Sequence, residues 1–489
     1  MAMTPLNLES DKSLYEQVAD RLETLIYEGT LKPGDRLPSV RKLREQLSVS
    51  ISTVLEAYRV LEDRGMICAR PQSGYYVRQT ALQQPQEPAT TDPPKRVYDI
   101  DNSLTFRLMH AIQDPKILKL GAAVPVAEHL PLNALNRLMG QVLRQHSAKA
   151  HSYDAPPGCV ELRREVAKRM LTAGCSINPD QIVTTNGTFE AVYLSLRAVT
   201  QPGDTVAIES PTYYGLLEAL EMLHLKVLEL PTHPRDGLSL DYLEMAMQRQ
   251  QITACVLVSN FSNPLGTCMG DAKKKQLADL LERYDMPLIE DDIYGDLYFE
   301  GSRPKAIKAF DRSGLVLYCA SCSKTLSPGM RIGWAIAGRY QAKVEQLKWV
   351  LNQTTAIAPQ LTLAAFLANG GYDRHLRQLR RKYQMQTAQM TQAICDYFPA
   401  ETKVTRPNGG HVLWLELPPE FNSLQLYEEA LAQNISIAPG VIFSASSGYT
   451  NCFRLNCSLP WTEDVDQAMR TIGYLAKKQL AMTMLSQPF

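Results

Sequence analysis

Apolar and polar positions fall into two unlike patterns along the chain. Near the start, Leu14, Val18, Leu22, Leu25 and Ile26 recur at helical spacing, and Gly29 follows as a stop signal. Lys32-Pro33-Gly34-Asp35 reads as a turn. Ser39 is placed to cap a second helix whose apolar positions are Val40, Leu43 and Leu47. Ser50 is placed to cap a third, with Val49 and Val54 as a hydrophobic staple across the cap. Only Ser48 and Val49 separate Leu47 from that cap, and two short helices on so tight a turn predict a helix-turn-helix. Residues 67–69 and 75–78 flank Arg70-Pro71-Gln72-Ser73-Gly74 and read as a hairpin, or wing.

Beyond residue 106 the period changes. Apolar runs at 181–185, 205–209, 226–230, 254–259, 287–291, 315–320 and 331–337 alternate with helical patterns such as 189–199, 214–223, 241–250 and 272–284. That alternation predicts an α/β domain built on a mostly parallel sheet with both faces covered. From His411 the order becomes a strand at 412–417, a helix near 424–432, strands at 435–438 and 453–457, and a last helix from Thr462. This reads as a smaller α+β lobe. Between the two patterns, residues 79–94 hold four prolines and four glutamines with almost no apolar periodicity, the composition of an extended tether. The expected organisation is a small module at 10–78, a Pro/Gln-rich linker at 79–105 and a large domain at 106–489. About twenty extended linker residues at ~3.1 Å each reach on the order of 60 Å.

Composition changes this picture little. With 51 basic and 51 acidic residues the chain has no global pull toward nucleic acid or a membrane, so any charged surface is local. Residues 30–78 supply one, with nine Lys/Arg against five Asp/Glu. The ten cysteines are scattered, and Cys319 and Cys322 form a lone C-x-x-C with no second pair to complete a zinc site. Neither a metal centre nor a disulfide framework is expected. There is no signal-peptide pattern and no apolar run of membrane-span length, so a cytoplasmic protein is expected.

Candidate chemistry gathers at the ends of the predicted strands, where ligand sites in α/β sheets lie. Lys324 sits in a Ser-, Pro- and Gly-rich loop between two strands, and an amine there forms a Schiff base with an aldehyde once its pKa is lowered. Ser321 and Arg331 in the same loop suit a phosphate, as hydroxyl donor and bidentate clamp. Asn186-Gly187-Thr188 opens a helix straight after a strand, an arrangement that serves either an anion or an ordinary turn and cap. Tyr213 suits stacking on a flat ring or a place in the core. Asn263, in Asn263-Pro264-Leu265-Gly266, is placed to hydrogen-bond a phenolic oxygen. Glu290-Asp291-Asp292 ends a strand, where a buried carboxylate holds a pyridine nitrogen protonated. Arg454, a charge among apolar residues, wants a carboxylate from an amino acid or from the protein itself. Tyr153, ahead of Gly158, is within reach of a phosphate.

Two sets of longer strings carry family resemblances. L-x-P-G-x-x-L-P-S-x-R-x-L, S-x-S-T-V-x-x-A-Y-x-x-L-x-x-x-G and S-G-Y-Y-V, over almost all of residues 10–78, resemble the winged helix of GntR-type bacterial regulators. The resemblance implies that Arg41, Ser50, Ser52 and Thr53 face DNA, with Gly74 at the wing tip in the minor groove and Arg70 adding a phosphate or groove contact. Ile51 and Leu55 stand where many relatives place arginines, which shifts base readout toward thymine methyls, Arg41 and the wing.

S-x-S-K-x-x-x-P-G-x-R-x-G-W at 321–334 resembles the lysine motif of fold-type I aminotransferases. Residues 118–480 resemble their 2-aminoadipate and kynurenine aminotransferase branch. That resemblance implies a pyridoxal 5'-phosphate (PLP) cofactor joined to Lys324, with Asp291 on the pyridine nitrogen, Asn263 and Tyr294 on the 3'-oxygen and Tyr213 stacked on the ring. Gly187, Thr188, Ser321 and Arg331 are implied to hold its phosphate, joined by Tyr153 of the partner subunit, with Ser323 as a further cofactor contact and Arg454 on an α-carboxylate. The whole chain resembles MocR/GabR-type regulators. This implies a bacterial, cytoplasmic, domain-swapped homodimer that binds a double-stranded DNA operator and responds to PLP and to an amino acid or amine. The alternative is a metabolic aminotransferase with an accessory DNA-binding module, and weak transamination is compatible with either.

Overall fold

The computed structural model describes residues 13–27, 30–32, 34–70, 74–78, 85–91, 97–98, 105 and 114–485. These group into two compact units, one drawn from residues 1–86, 385–402 and 460–489, the other from residues 87–384 and 403–459.

The first unit contains α1 (Leu14–Tyr27), α2 (Val40–Leu47), α3 (Ile51–Asp63), β1 (Ile67–Arg70) and β2 (Gly74–Val77), as well as the last helix, Glu463–Leu485. Val18, Leu22, Ile26, Leu43, Val54, Tyr58 and Leu61 are buried together, on the faces that helical spacing assigns to the core. Both expected caps form. Ser39 accepts from the Lys42 N–H at 3.3 Å, and Ser50 from the Thr53 N–H at 3.0 Å. Ser48 ends α2 in the left-handed region, at φ 52°, which turns the chain sharply into α3. Arg64, just past α3, ties back to Asp20 (3.0 Å) and Glu23 on α1. The hairpin is antiparallel with Arg70 opposite Gly74, and Arg36 bridges to Tyr76 beside it. Gly29, the wing residues 71–73 and the side chain of Arg70 lie outside the described residues.

The second unit carries β3 (Leu118–Lys119), β4 (Val183–Thr185), β5 (Thr205–Ser210), β6 (Lys226–His233), β7 (Gly237–Leu238), β8 (Ala254–Leu257), β9 (Leu288–Asp291), β10 (Val316–Ser321) and β11 (Gly333–Ile336). Eight of them form one sheet in the order β4-β11-β10-β9-β8-β5-β6-β7. Its five central strands are parallel, while β11 runs antiparallel to both neighbours. Alternation along the strands shows why both faces are covered. Val206, Ile208, Val256, Ile289 and Leu317 pack on one side with Ala191 and Leu217 from helices, and Ala207, Cys255, Leu257, Leu288 and Val316 on the other with Leu243 and Leu277.

A second sheet joins β12 (Lys403–Val404), β13 (Val412–Glu416), β15 (Ala438–Pro439) and β16 (Cys452–Asn456) in the order β12-β13-β16-β15. The intervening β14 (Ile435–Ser436) pairs in parallel with β3. β11 starts later than the apolar run at 331–337 suggests, because Arg331 takes a left-handed conformation at φ 54°, which an extended strand does not contain. β3, β7 and β12 have two residues each, too few for a period to be seen.

Parts of the Pro/Gln-rich segment lie on the large domain rather than free of it. Tyr98 bridges antiparallel to Val227 on β6, Thr91 bonds to Thr232, and the Glu87 carboxylate accepts from Arg235 Nε at 2.6 Å. A strand near a sheet edge offers backbone groups to any extended chain, whatever that chain's composition. All ten cysteines are free thiols, and among the described residues no helix is long and apolar enough to cross a membrane.

Candidate functional site

Three consecutive acids stand at the end of β9, Glu290 and Asp291 within it and Asp292 just past it, and they go to different places. Glu290 is buried on Ser259 Oγ (2.6 Å) and on the N–H groups of Ile307 (2.7 Å) and Lys308 (2.9 Å). Asp292 accepts from Arg303 (2.6 Å), the Tyr318 hydroxyl (2.9 Å) and Asn260 (2.8 Å). Asp291, between them, lines a cavity of about 190 Å³. Burial pushes its carboxyl up to about 7, against one hydrogen bond from the Ile293 N–H at 3.0 Å.

Thr188, Tyr213, Asn263, Tyr294, Ser323, Lys324 and Arg331 line the same cavity. Two residues separate Lys324 from the end of β10, so it stands in the loop at the strand's C-terminal end and lines the cavity from there. Its Nζ donates to the Ala123 carbonyl at 2.6 Å. Burial brings its pKa down to about 8, helped by the positive charge of Arg454 and opposed by Asp291. Roughly a tenth of the amine is therefore free at pH 7, several hundredfold more than an unshifted lysine supplies, as a lysine that captures aldehydes requires. The Asn263 amide nitrogen lies 3.3 Å from the Tyr294 hydroxyl, and burial raises the phenols of both Tyr294 and Tyr213, which keeps them neutral.

At one end of the cavity a helix begins. Gly187 caps helix Thr188–Val199 at φ 82°, and a Cβ there would come within 2.5 Å of the Arg331 guanidinium. Arg331 donates to the Asn186 carbonyl at 2.8 Å. The Thr188 hydroxyl is buried with no hydrogen-bond partner among the described residues. Ser321 accepts from the Ser323 N–H at 3.2 Å. An orphaned hydroxyl, helix-terminal N–H groups and a guanidinium at one spot fit a phosphate. Tyr153 is not among these residues: it is 83% exposed on its own chain and does not line the cavity.

Arg454, on β16, is fully buried. It donates to Asn263 Oδ1 at 2.8 Å and to the Gly121 carbonyl, its Nε has no partner among the described residues, and its guanidinium lies over the Phe443 ring at 5.1 Å. No protein carboxylate pairs with it among the described residues. The segment Gly121–Ala123 and the neighbouring His411 are parts of the site that sequence reasoning missed. Gly121 and Ala123 act through carbonyls, which every residue type carries. His411 is buried against Tyr294 (5.6 Å) and bonded to Asn456 (3.1 Å), and burial holds it neutral with a pKa pushed down to about 3. The Gly409-Gly410-His411 turn was its only signal.

In the first unit, Arg41, Ser50, Ser52 and Gly74 are exposed and Thr53 is half-buried. The Ser50 hydroxyl caps α3 and lies 2.7 Å from Ser52 Oγ and 2.8 Å from Thr53 Oγ1, so the three hydroxyls form one cluster at the helix start. Ile51 and Leu55 are each 45% exposed on the same helix.

Fold and site together define an aminotransferase domain joined to a winged helix, and comparison with known proteins agrees. Residues 14–77 match the gntR family of bacterial regulatory proteins, and residues 115–472 match aminotransferase class I and II. The chain is 41% identical to the uncharacterized HTH-type transcriptional regulator YdcR of Escherichia coli (strain K12), covering 95% of this chain and 99% of that one. It is 38% identical to YjiR, another uncharacterized HTH-type regulator of that strain, covering 94% and 98%. Among solved structures, the α-aminoadipate aminotransferase LysN of Thermus thermophilus, complexed with N-(5'-phosphopyridoxyl)-L-leucine, superposes with a TM-score of 0.73 at 28% identity, covering 78% of this chain and 97% of that one. The chain belongs to the HTH-type transcriptional regulators that join a GntR-family DNA-binding domain to an aminotransferase class I and II domain. It is a DNA-binding regulator of fold-type I architecture, and PLP is the cofactor of that class.

Proposed function

We propose that the large domain is a sensor that binds PLP and an amino acid or amine, and that its state sets how two winged helices of a homodimer engage an operator. When bound, PLP supplies an electron-withdrawing ring that stabilises negative charge next to a captured amine. Asp291 holds the proton on the ring nitrogen, Asn263 and Tyr294 hydrogen-bond the ring oxygen, and Tyr213 stacks on the ring face. Thr188, Gly187, Ser321 and Arg331 hold the phosphate, with Ser323 beside them. Lys324 exchanges a proton with the incoming amine. Arg454 orients a carboxylate, and its bond to Asn263 links that carboxylate to the ring.

The observation that carries this reading is the company the cavity keeps. Lys324 with a lowered pKa, Asp291 with a raised one and an orphaned Thr188 hydroxyl share one pocket, in a chain whose N-terminal module exposes a capped recognition helix. Tyr153, so exposed on its own chain, suits a role in the pocket of a partner subunit, and a domain-swapped dimer accommodates it. On the DNA side, Arg41, Ser52, Thr53, Arg70 and Gly74 meet backbone and groove, and Ile51 and Leu55 meet thymine methyls. The intact lysine–aspartate pair also supports slow transamination beside regulation.

The experiment is in vitro selection of an operator with PLP-loaded protein, followed by affinity measurements with and without a panel of amino acids, and transamination assays on the same preparation. Specific binding that one or more amino acids shift supports the sensor. Turnover of about 1–1000 per second without specific DNA binding supports a metabolic enzyme and removes the sensor reading.

A further inference from the structure

The linker that leads to the winged helix is fastened beside the cofactor pocket. We infer that this fastening, centred on Thr91, is the element through which pocket occupancy reaches the DNA-binding module. The inference rests on the sensor reading above and assigns its route of regulation. Thr91 Oγ1 donates to the Ser210 carbonyl at 3.1 Å and accepts from the Thr232 N–H at 2.8 Å, while its own N–H reaches the Thr232 carbonyl at 3.4 Å. Further along, Tyr98 exchanges both backbone bonds with Val227, at 3.0 and 3.1 Å. Ser210 and Thr232 are both buried, so the clamp holds covered residues of β5 and β6 and not a surface loop.

Ser210 is met from three sides. It ends β5, and the chain goes straight on to Thr212 and Tyr213, which wall the cavity. Its hydroxyl lies 2.7 Å from that of Tyr449, on the loop between β15 and β16. The Tyr449 ring meets Trp414 edge-on at 5.8 Å, and Trp414 stands directly across the sheet from Arg454. The same loop contributes the Phe443 carbonyl, which accepts the Thr212 N–H at 2.9 Å, and the Phe443 ring under Arg454. The third side is the linker itself, on the Ser210 carbonyl. A ring that stacks on Tyr213 presses the wall attached to Ser210. A carboxylate that draws on Arg454 pulls the loop bonded to its hydroxyl. Either event shifts the carbonyl that holds Thr91, so both ligands bias one element, as coupling between distant sites requires.

The test is hydrogen exchange on the full-length protein, read at the amides of Thr91 and Tyr98, in PLP-free and PLP-loaded forms. The variants are Thr91→Val, which keeps shape and removes the hydroxyl, and Thr91→Ser, which restores it. PLP uptake is followed separately by absorbance. We expect loading to slow linker exchange at least about fivefold in the wild type, in the usual range of coupling. The Val variant should take up PLP normally and lose the slowing, and the Ser variant should regain it. A wild type that takes up PLP with no change in linker exchange overturns the clamp, as does a Val variant with the full response. A wild type that takes up no PLP overturns the sensor reading itself.

Discussion

Arg454 Nη1 donates to Asn263 Oδ1 at 2.8 Å, across the boundary between the small sheet and the large one. The same Asn263 presents its amide nitrogen to Tyr294. The proposed reader of a carboxylate and the proposed holders of the cofactor oxygen are therefore one hydrogen-bonded unit. A ligand that takes Arg454 away from Asn263 changes what Asn263 offers the ring.

Replacing Arg454 by Ala should move the response to amino acids to much higher concentrations at fixed salt while amines without a carboxylate keep theirs. A hydrogen bond to a charged group contributes about 1.5–3 kcal/mol, so carboxylate affinity should fall roughly ten- to a hundredfold. Titration of the PLP-loaded variant with an amino acid and with its decarboxylated amine reads this directly. Equal losses for both ligands would remove Arg454 from carboxylate recognition.

The rate at which PLP-free protein takes up PLP should rise with pH and level off above about 8, as Lys324 loses its proton. The same shift has a sign for stability. Lys324 falls from 10.5 in the open chain to about 8 in the fold, so between these values the unfolded chain holds more of its proton, and this group's contribution to stability rises with pH. Borohydride should fix the cofactor to Lys324, and Lys324→Ala should abolish the covalent label while PLP still binds weakly. A label on another lysine contradicts the assignment.

Thr188→Val separates the two states of the pocket. Without PLP the hydroxyl is buried and unpaired among the described residues, so its removal should leave the PLP-free protein as stable or more stable by up to about 1–3 kcal/mol. With PLP the variant should lose about tenfold in affinity. Thermal unfolding of the PLP-free form and a PLP titration measure the two. A variant that is less stable without PLP would show that the hydroxyl already has a partner.

Arg41→Ala tests the exposed face of α2. A bidentate base contact predicts a loss of about 1–3 kcal/mol and relaxed preference at one base position. A phosphate contact predicts a uniform loss across sequences and a salt slope lower by roughly one. Operator affinity measured across salt concentrations distinguishes them, and unchanged affinity at moderate salt removes Arg41 from the interface.

Much of this arrangement is legible in the sequence because its causes are local. Ser39 and Ser50 announce helix starts through their own hydroxyls, and Lys324, Asp291 and Asn263 stand at strand ends that a parallel sheet brings to one edge. The rest depends on partners far along the chain. Ala123 and Gly121 reach Lys324 and Arg454 through backbone oxygens that no residue type advertises. The resting place of Thr91 depends on β6, whose backbone partners are invisible in the composition of a Pro/Gln-rich segment. Whether Arg454 pairs with a protein carboxylate was open in the sequence, and the fold surrounds it with an amide, a carbonyl and aromatic rings instead.

The most direct test of the central claim is the operator affinity of the full-length protein in its PLP-free, PLP-loaded and amino-acid-bound forms, at one salt concentration. A cofactor pocket that governs DNA binding predicts a difference of about 5–150-fold between at least two of these forms. Identical affinities in all three, in protein that demonstrably carries PLP, would contradict it.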